Sequence, residues 1–224
     1  MRSFLSNILL RILFYPAPRP IFNKEEEKIF NEIFKEARQK PDKLIDYNVS
    51  IPKYKFLQYL SDTKPILFHG SNHKEINSFE PREQTLFNGV MTKAVFATKD
   101  PIWSNFFAIL RKGSVVDNFR NGAISANDKQ WYHYYSLTKA NFLNEPWTNG
   151  VIYILPMDSF IPPSKGTIQF NEWISKEPVS PIAKLEVMPS DFYFIDNVTC
   201  HKSTETVSKT WLFYKIRSKF KKFK

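Results

Sequence analysis

The spacing of apolar residues changes character near residue 60, and that change limits the fold more than any other feature of the chain. Before it, Ile29, Phe30, Ile33, Phe34 and Ala37 form one stripe at helical spacing. From Pro65 onward, apolar residues come as short runs divided by turn residues. Candidate strands cover 65–70, 93–98, 151–156, 168–175 and 182–188, with another near 192–197. Helices interrupt them. Asp100-Pro101 opens one carrying Ile102, Trp103, Phe106, Phe107 and Leu110; Trp131, Tyr132, Tyr134, Tyr135 and Leu137 suggest another across 128–142. This mixture predicts an α+β fold, a mainly antiparallel sheet with flanking helices and an N-terminal helical extension.

Within that extension, Asn23 precedes Glu25, Glu26 and Glu27, the pattern of a capped helix start whose acids complement the helix dipole. Pro41 stops this helix, and a shorter one is expected from Pro52 through Leu60, with Tyr54, Phe56 and Leu57 inward. The run around Ile8-Leu9-Leu10 and Ile12-Leu13-Phe14 is broken by Arg11 and is too short to span a bilayer. It reads as an amphipathic helix packed on the body, closed by the extended Tyr15-Pro16-Ala17-Pro18. The expected setting is cytoplasmic, with peripheral membrane contact as an option.

Several chemistries are excluded by composition. Only 6 glycines are present and neither GxGxxG nor GxxxxGK[ST] occurs, so no glycine-rich loop can cradle phosphates. A single cysteine, Cys200, rules out an internal disulfide or a cysteine zinc cluster. Its neighbour His201 points to the opposite face of any strand, which makes a poor nucleophile–base pair.

Net charge is +10, yet Lys209 to Lys224 hold six lysines, one arginine and no acid, so the other 208 residues carry only +3. Within this tail Leu212, Ile216, Phe220 and Phe223 recur by four, four and three. As a helix, 209–224 is a basic amphipathic segment suited to an anionic membrane surface, a partner groove or a nucleic-acid backbone. A solvated, frayed terminus is the plainer alternative.

Two residues stand out as carriers of chemistry. His69 ends the apolar run Ile66-Leu67-Phe68, and Gly70-Ser71 then allow a close backbone approach and a turn. Its imidazole suits a ribose hydroxyl, or it is a core histidine satisfied by a backbone carbonyl. Glu172 lies in the aromatic run Phe170-Asn171-Glu172-Trp173-Ile174, where a carboxylate must be exposed, paired or functional.

His69-Gly70-Ser71, then Val95-Phe96-Ala97-Thr98 leading into a helix, then Asn171-Glu172-Trp173-Ile174 resemble the ADP-ribosyltransferase superfamily, nearest the poly(ADP-ribose) polymerase-like branch with its His-Tyr-Glu triad. The resemblance covers about residues 60–190. It implies an ADP-ribosyltransferase-like domain with a split sheet over 61–205, and leaves outside it a helical extension over 1–60 and a basic tail over 206–224. It implies NAD as substrate: His69 holding a ribose hydroxyl, Gly70 bonding the nicotinamide carboxamide through its backbone, Ser71 beside it, and Glu172 on the nicotinamide-ribose 2′-hydroxyl. Val95 and Phe96 would line the same site. Phe106, with Trp103 and Phe107, offers an aromatic wall, or plain core. The triad tyrosine position falls on Val95, Met91-Thr92-Lys93-Ala94 stand where two glycines are usual, and Thr98 replaces an acid.

The chemistry suits these residue types. Cleaving the nicotinamide–ribose bond builds positive charge on the sugar, and a fixed carboxylate stabilises it and orients a nucleophile. The expected activity is transfer of one ADP-ribose to a protein or nucleic-acid acceptor, or NAD hydrolysis. The competing expectations are a non-catalytic binding module on the same fold and a membrane- or nucleic-acid-associated protein acting through the tail.

Overall fold

At Asn23 the expected cap is present. Its side chain accepts from the Glu25 and Glu26 N–H groups at 3.0 and 2.9 Å, and the Glu26 carboxylate returns to the Asn23 N–H at 3.1 Å. The structure, a computed structural model, describes residues 2–86, 89–162 and 166–220. Three helices come first, α1 (Arg2–Leu13), α2 (Lys24–Gln39) and α3 (Lys53–Thr63), with the two-residue strand β1 (Tyr15–Pro16) after α1. Strands β2 (Ile66–Ser71), β3 (Arg82–Thr85) and β4 (Met91–Ala97) lead into α4 (Pro101–Ile109). Then follow β5 (Phe119–Ser125), β6 (Tyr132–Thr138), α5 (Lys139–Leu143), β7 (Gly150–Pro156), β8 (Gln169–Phe170) and β9 (Trp173–Ser175). The chain continues with β10 (Ala183–Val187), β11 (Thr199–His201) and α6 (Val207–Lys219).

The fold is α+β with mainly antiparallel sheets. One sheet runs β1-β6-β5-β8, and β11 adds to β6 in parallel. A second runs β10-β7-β2 and a third β3-β4-β9, all antiparallel. The last two are joined where Phe68 and Thr98 exchange backbone hydrogen bonds of 2.8 and 3.0 Å. The strands bearing the three sequence motifs therefore lie side by side, as β2, β4 and β9.

Helix α4 sits between the sheets and is buried on nearly every side, as its continuous apolar sequence requires. Its approach is set by two glycines. A Cβ on Gly70 would stand 1.9 Å from the Ser104 carbonyl oxygen, and one on Gly150 would stand 1.8 Å from that of Ala108. Helices α2 and α3 close the same core through Phe30, Phe34, Phe56, Leu57 and Leu60. The opposite face of β2 and β7 carries Leu67, Val151, Tyr153 and Leu155, covered by Phe79, Phe160 and Val179. Helices α1 and α6 cover the outer face of the first sheet.

Three sequence expectations are corrected. The helix expected across 128–142 is strand β6 followed by the short α5. Every residue of β6 is buried, Tyr135 and Leu137 in the central core and Tyr132 and Tyr134 under α1 and α6, so no polar alternation marks it as a strand. The single strand expected over 168–175 is two, β8 and β9, in different sheets. The strand near 192–197 is a pair of tight turns, Pro189–Asp191 and Ile195–Asn197, and the strand follows at β11. Among the described residues no helix is long and apolar enough to cross a membrane.

Candidate functional site

The seam between β2 and β4 brings His69 and Gly70 of the first strand beside Val95 and Phe96 of the second. Backbone pairing there stops at Phe68 and Thr98, and just beyond it the His69 Nδ1 lies 2.6 Å from the Phe96 carbonyl oxygen. A carbonyl only accepts, so Nδ1 carries the hydrogen and Nε2 is left as an acceptor. Burial pushes the imidazole down to about 4; the Phe96 bond opposes this, while Lys112 and then Arg82 push further down. His69 is therefore neutral at neutral pH, in a single tautomer. The Lys112 ammonium is itself depressed, by burial and then by Arg82.

The Gly70 peptide lies on the same edge of β2 as Phe68, because alternate residues direct their N–H and C=O groups the same way. It thus faces the seam beyond the last paired residue. Its missing side chain serves α4, as the Cβ distances establish. Ser71 is buried, and its hydroxyl accepts from the His73 N–H at 3.1 Å, which starts the turn after β2. Tyr153, paired with His69 across β2 and β7, holds that turn by donating to the His73 carbonyl at 2.7 Å and accepting from the Ile76 N–H at 3.1 Å.

Glu172 lies between β8 and β9, where the chain crosses from the first sheet to the third, and it is half-buried. Asn171 pins this crossing on both sides: its N–H donates to the Ala123 carbonyl at 3.0 Å, and its Oδ1 accepts from the Lys99 N–H at 3.0 Å. Ala97 pairs with Trp173, so Glu172 starts one strand beyond β4 and two beyond β2.

The register also sorts faces. His69, Ala97 and Trp173 fall on one side of the three strands, with Val95 in the same packed group, 3% exposed. The Phe79 ring covers His69 with centroids 4.6 Å apart. A cavity of about 660 Å³ opens beside the crossing, lined by Trp131, Lys99, Asp100, Asp62, Asn171 and Trp173. Asn171 and Trp173 both line it. Neither His69 nor Glu172 lines it.

Phe106 is corrected outright. It is fully buried against Tyr135, Phe192 and Trp147 on the α4 side of the sheet, so it belongs to the core and forms no wall of the seam. Phe96 contributes its carbonyl to His69, and its ring is half-buried. Cys200 makes only a weak contact to the His201 carbonyl, and burial raises its thiol above the ordinary range, as befits a filler. His201 is fixed by Ser136 and Asn118.

Sequence reasoning missed the residues that come to the seam from distant segments, namely Phe79, Arg82, Lys112 and Tyr153. It also missed a buried contact behind it. Asp100 caps α4 through the Trp103 N–H at 2.8 Å, and its other oxygen lies 3.1 Å from His133 Nε2, whose Nδ1 meets the Tyr135 hydroxyl at 2.8 Å. Asp100 belongs to the turn that follows β4, the same turn whose Lys99 N–H bonds Asn171. Among the described residues no group of histidines, cysteines and acids is arranged to hold a metal ion. Compared with protein-family models, with curated proteins and with solved structures, the chain matches none of them.

Proposed function

We propose that the chain is an ADP-ribosyltransferase-type protein that binds NAD in the seam between β2, β4 and β9 and cleaves its nicotinamide–ribose bond. The observation that carries this reading is the adjacency of the three motif strands, with a neutral, tautomer-locked His69 on the first and Glu172 at the head of the third. On this reading Nε2 of His69 accepts from a ribose hydroxyl, and the Gly70 peptide meets the carboxamide. On this reading Arg82 and Lys112, whose charges both push His69 down, compensate the diphosphate. Glu172 stabilises the cationic sugar, and its backbone is held for that task by Asn171. The acceptor is a protein or nucleic-acid group, or water, and the split-sheet relationship to the superfamily belongs to the same proposal.

The test is release of nicotinamide from labelled NAD by wild type and by Glu172→Gln. The carboxamide keeps the shape and loses the charge, so activity is expected to drop about 100-fold or more with NAD binding retained. No release by wild type with protein, RNA and water as acceptors, or equal release by both, defeats the catalytic reading.

A second reading, a non-catalytic module binding NAD or ADP-ribose, is favoured by three specific observations. Val95 stands buried at the triad tyrosine position, the Phe79 ring covers His69, and Trp173 rather than Glu172 shares the face of His69. Calorimetric titration with NAD and ADP-ribose separates the two: binding without turnover supports the second.

A further inference from the structure

The two ends of the sequence meet in space and carry what the rest of the protein lacks. Residues 1–22 contain Arg2, Arg11 and Arg19 and no acid; residues 206–224 contain seven cations and no acid. Together they account for the whole +10, so residues 23–205 are electrically balanced, with 22 cations and 22 acids. This divides the charge more sharply than the C-terminal segment alone.

Helices α1 and α6 pack side by side on the outer face of the first sheet. Phe14 at the end of α1 and Trp211 and Tyr214 of α6 all meet the Tyr134 ring, with centroids 5.0 to 6.2 Å apart. The Lys215 ammonium ties the helices together by donating to the Arg11 and Phe14 carbonyls at 2.9 and 3.3 Å. Glu205 anchors the start of α6, taking both Arg217 guanidinium nitrogens at 2.8 Å and the Thr210 hydroxyl at 2.8 Å.

Each helix, having buried one side on the sheet, keeps a second apolar stripe on the other. On α1 it is Phe4, Leu5, Ile8, Leu9 and Ile12, spaced as one continuous helical face, with Phe4 67% exposed. On α6 and its C-cap it is Leu212, Phe213, Ile216 and Phe220, the last 77% exposed. Leu10 of α1 and Tyr214 of α6 are buried in one cluster with Tyr134, so the outer stripes both look away from the sheet. Arg11, Lys209 and Lys219 are exposed around them. Lys221, Lys222, Phe223 and Lys224, which extend the basic pattern in sequence, lie outside the described residues.

We propose that this double-helix face is a docking surface for an anionic lipid membrane, with the α1 and α6 stripes entering the acyl–headgroup boundary and the cations meeting lipid phosphates. Helices of 12 and 13 residues are about 18 to 20 Å long, short of the roughly 30 Å hydrocarbon layer, so they lie along the surface rather than across it. Large apolar side chains ringed by cations, on a body with no net charge, match a surface that is both apolar and anionic. A nucleic acid would use the cations and leave the two apolar stripes in water. The inference stands apart from any reaction at the seam.

The experiment is flotation of the full chain with phosphatidylcholine vesicles, with and without phosphatidylglycerol, at low and physiological salt. Two variants accompany it: Phe4→Ser/Ile12→Ser/Phe220→Ser, which removes exposed rings and methyls, and Lys209→Glu/Lys219→Glu, which reverses exposed charge. All five side chains are exposed, and an unchanged melting curve verifies the fold. Wild type is expected to float only with phosphatidylglycerol, and each variant to lose about tenfold or more in partitioning. Absence of wild-type flotation at low salt overturns the proposal, as does equal partitioning by the apolar variant. So does tighter binding to single-stranded RNA that the apolar variant retains, or a self-association that this variant abolishes in solution.

Discussion

The β2–β4–β9 seam and the α1–α6 face treat polar and apolar groups in opposite ways. At the seam, polar groups are individually tied: His69 to Phe96, Ser71 to His73, Asn171 to Ala123 and Lys99. Apolar groups there are packed away, with Val95 3% exposed. On the terminal helices, cations and large apolar side chains stand exposed together. Tight, satisfied geometry is what positioning a small ligand requires, because a misplaced polar group there loses affinity or rate. A loose, unsatisfied surface is what a fluid or extended partner requires. The two regions lie on opposite sides of the first sheet and the central helix.

Substitution should therefore hurt the two regions very unequally. Gly70→Ala is expected to have the largest effect. The new methyl meets the Ser104 carbonyl at 1.9 Å and the Ala108 nitrogen at 2.6 Å, both backbone atoms that cannot rotate away. A loss of about 3 kcal/mol or more follows, read by urea unfolding; a wild-type midpoint would break the account of how α4 is seated. Next comes Glu205→Ala, which strands Arg217 and removes the acceptor of the Thr210 hydroxyl. Glu205 is held near 2, by the Arg217 bonds first and the Thr210 bond after, and its removal should cost about 2–3 kcal/mol. The same melt should show the α1–α6 unit, rather than the seam, loosening first by hydrogen exchange.

Acid supplies a smaller effect. Burial holds both His69 and His201 down at about 4 in the fold, against an ordinary value near 6.5. Below 6.5 the unfolded chain takes protons that the fold refuses. The stabilisation is complete above 6.5 and drains as pH falls toward 4, by roughly 2 kcal/mol for each site after allowance for partial solvent access. Melting temperature against pH measures it, and His69→Gln should flatten the slope; an unchanged slope would mean that His69 is not buried neutral. The smallest effect is expected from the exposed stripe, where Phe4→Ser or Leu5→Ser should change stability by only about 0.5 kcal/mol or less. A loss as large as that at Gly70 would show that the stripe is covered by the protein itself.

What the sequence revealed follows the same division. The capped start of α2, the Asp100 cap of α4 and the runs that became β2, β4, β7 and β10 were legible because their signals are local. Strand β6 was not, since burial on both faces erased its alternation and left Tyr132, Tyr134, Tyr135 and Leu137 compatible with a helix. The break at Asn171-Glu172 was hidden inside an aromatic run, although an asparagine beside a glutamate in such a run is itself a hint of a pinned crossing. His69, Gly70 and Glu172 could be singled out by type and order. The roles of Phe79, Arg82 and Lys112 arise only once distant segments meet. The pairing of α1 with α6 is of that kind too: each stripe is readable alone, and their adjacency is a property of the fold.

The claim most open to direct test is that His69 offers Nε2 to a ribose hydroxyl while Nδ1 stays on the Phe96 carbonyl. Histidine side-chain nitrogen NMR on the labelled protein, titrated with NAD and with ADP-ribose, observes both nitrogens at once. The account predicts a neutral ring hydrogenated at Nδ1, with the Nε2 resonance moving on saturation and the Nδ1 resonance nearly fixed. A ring hydrogenated at Nε2, or no movement of either resonance with ligand bound, would contradict it.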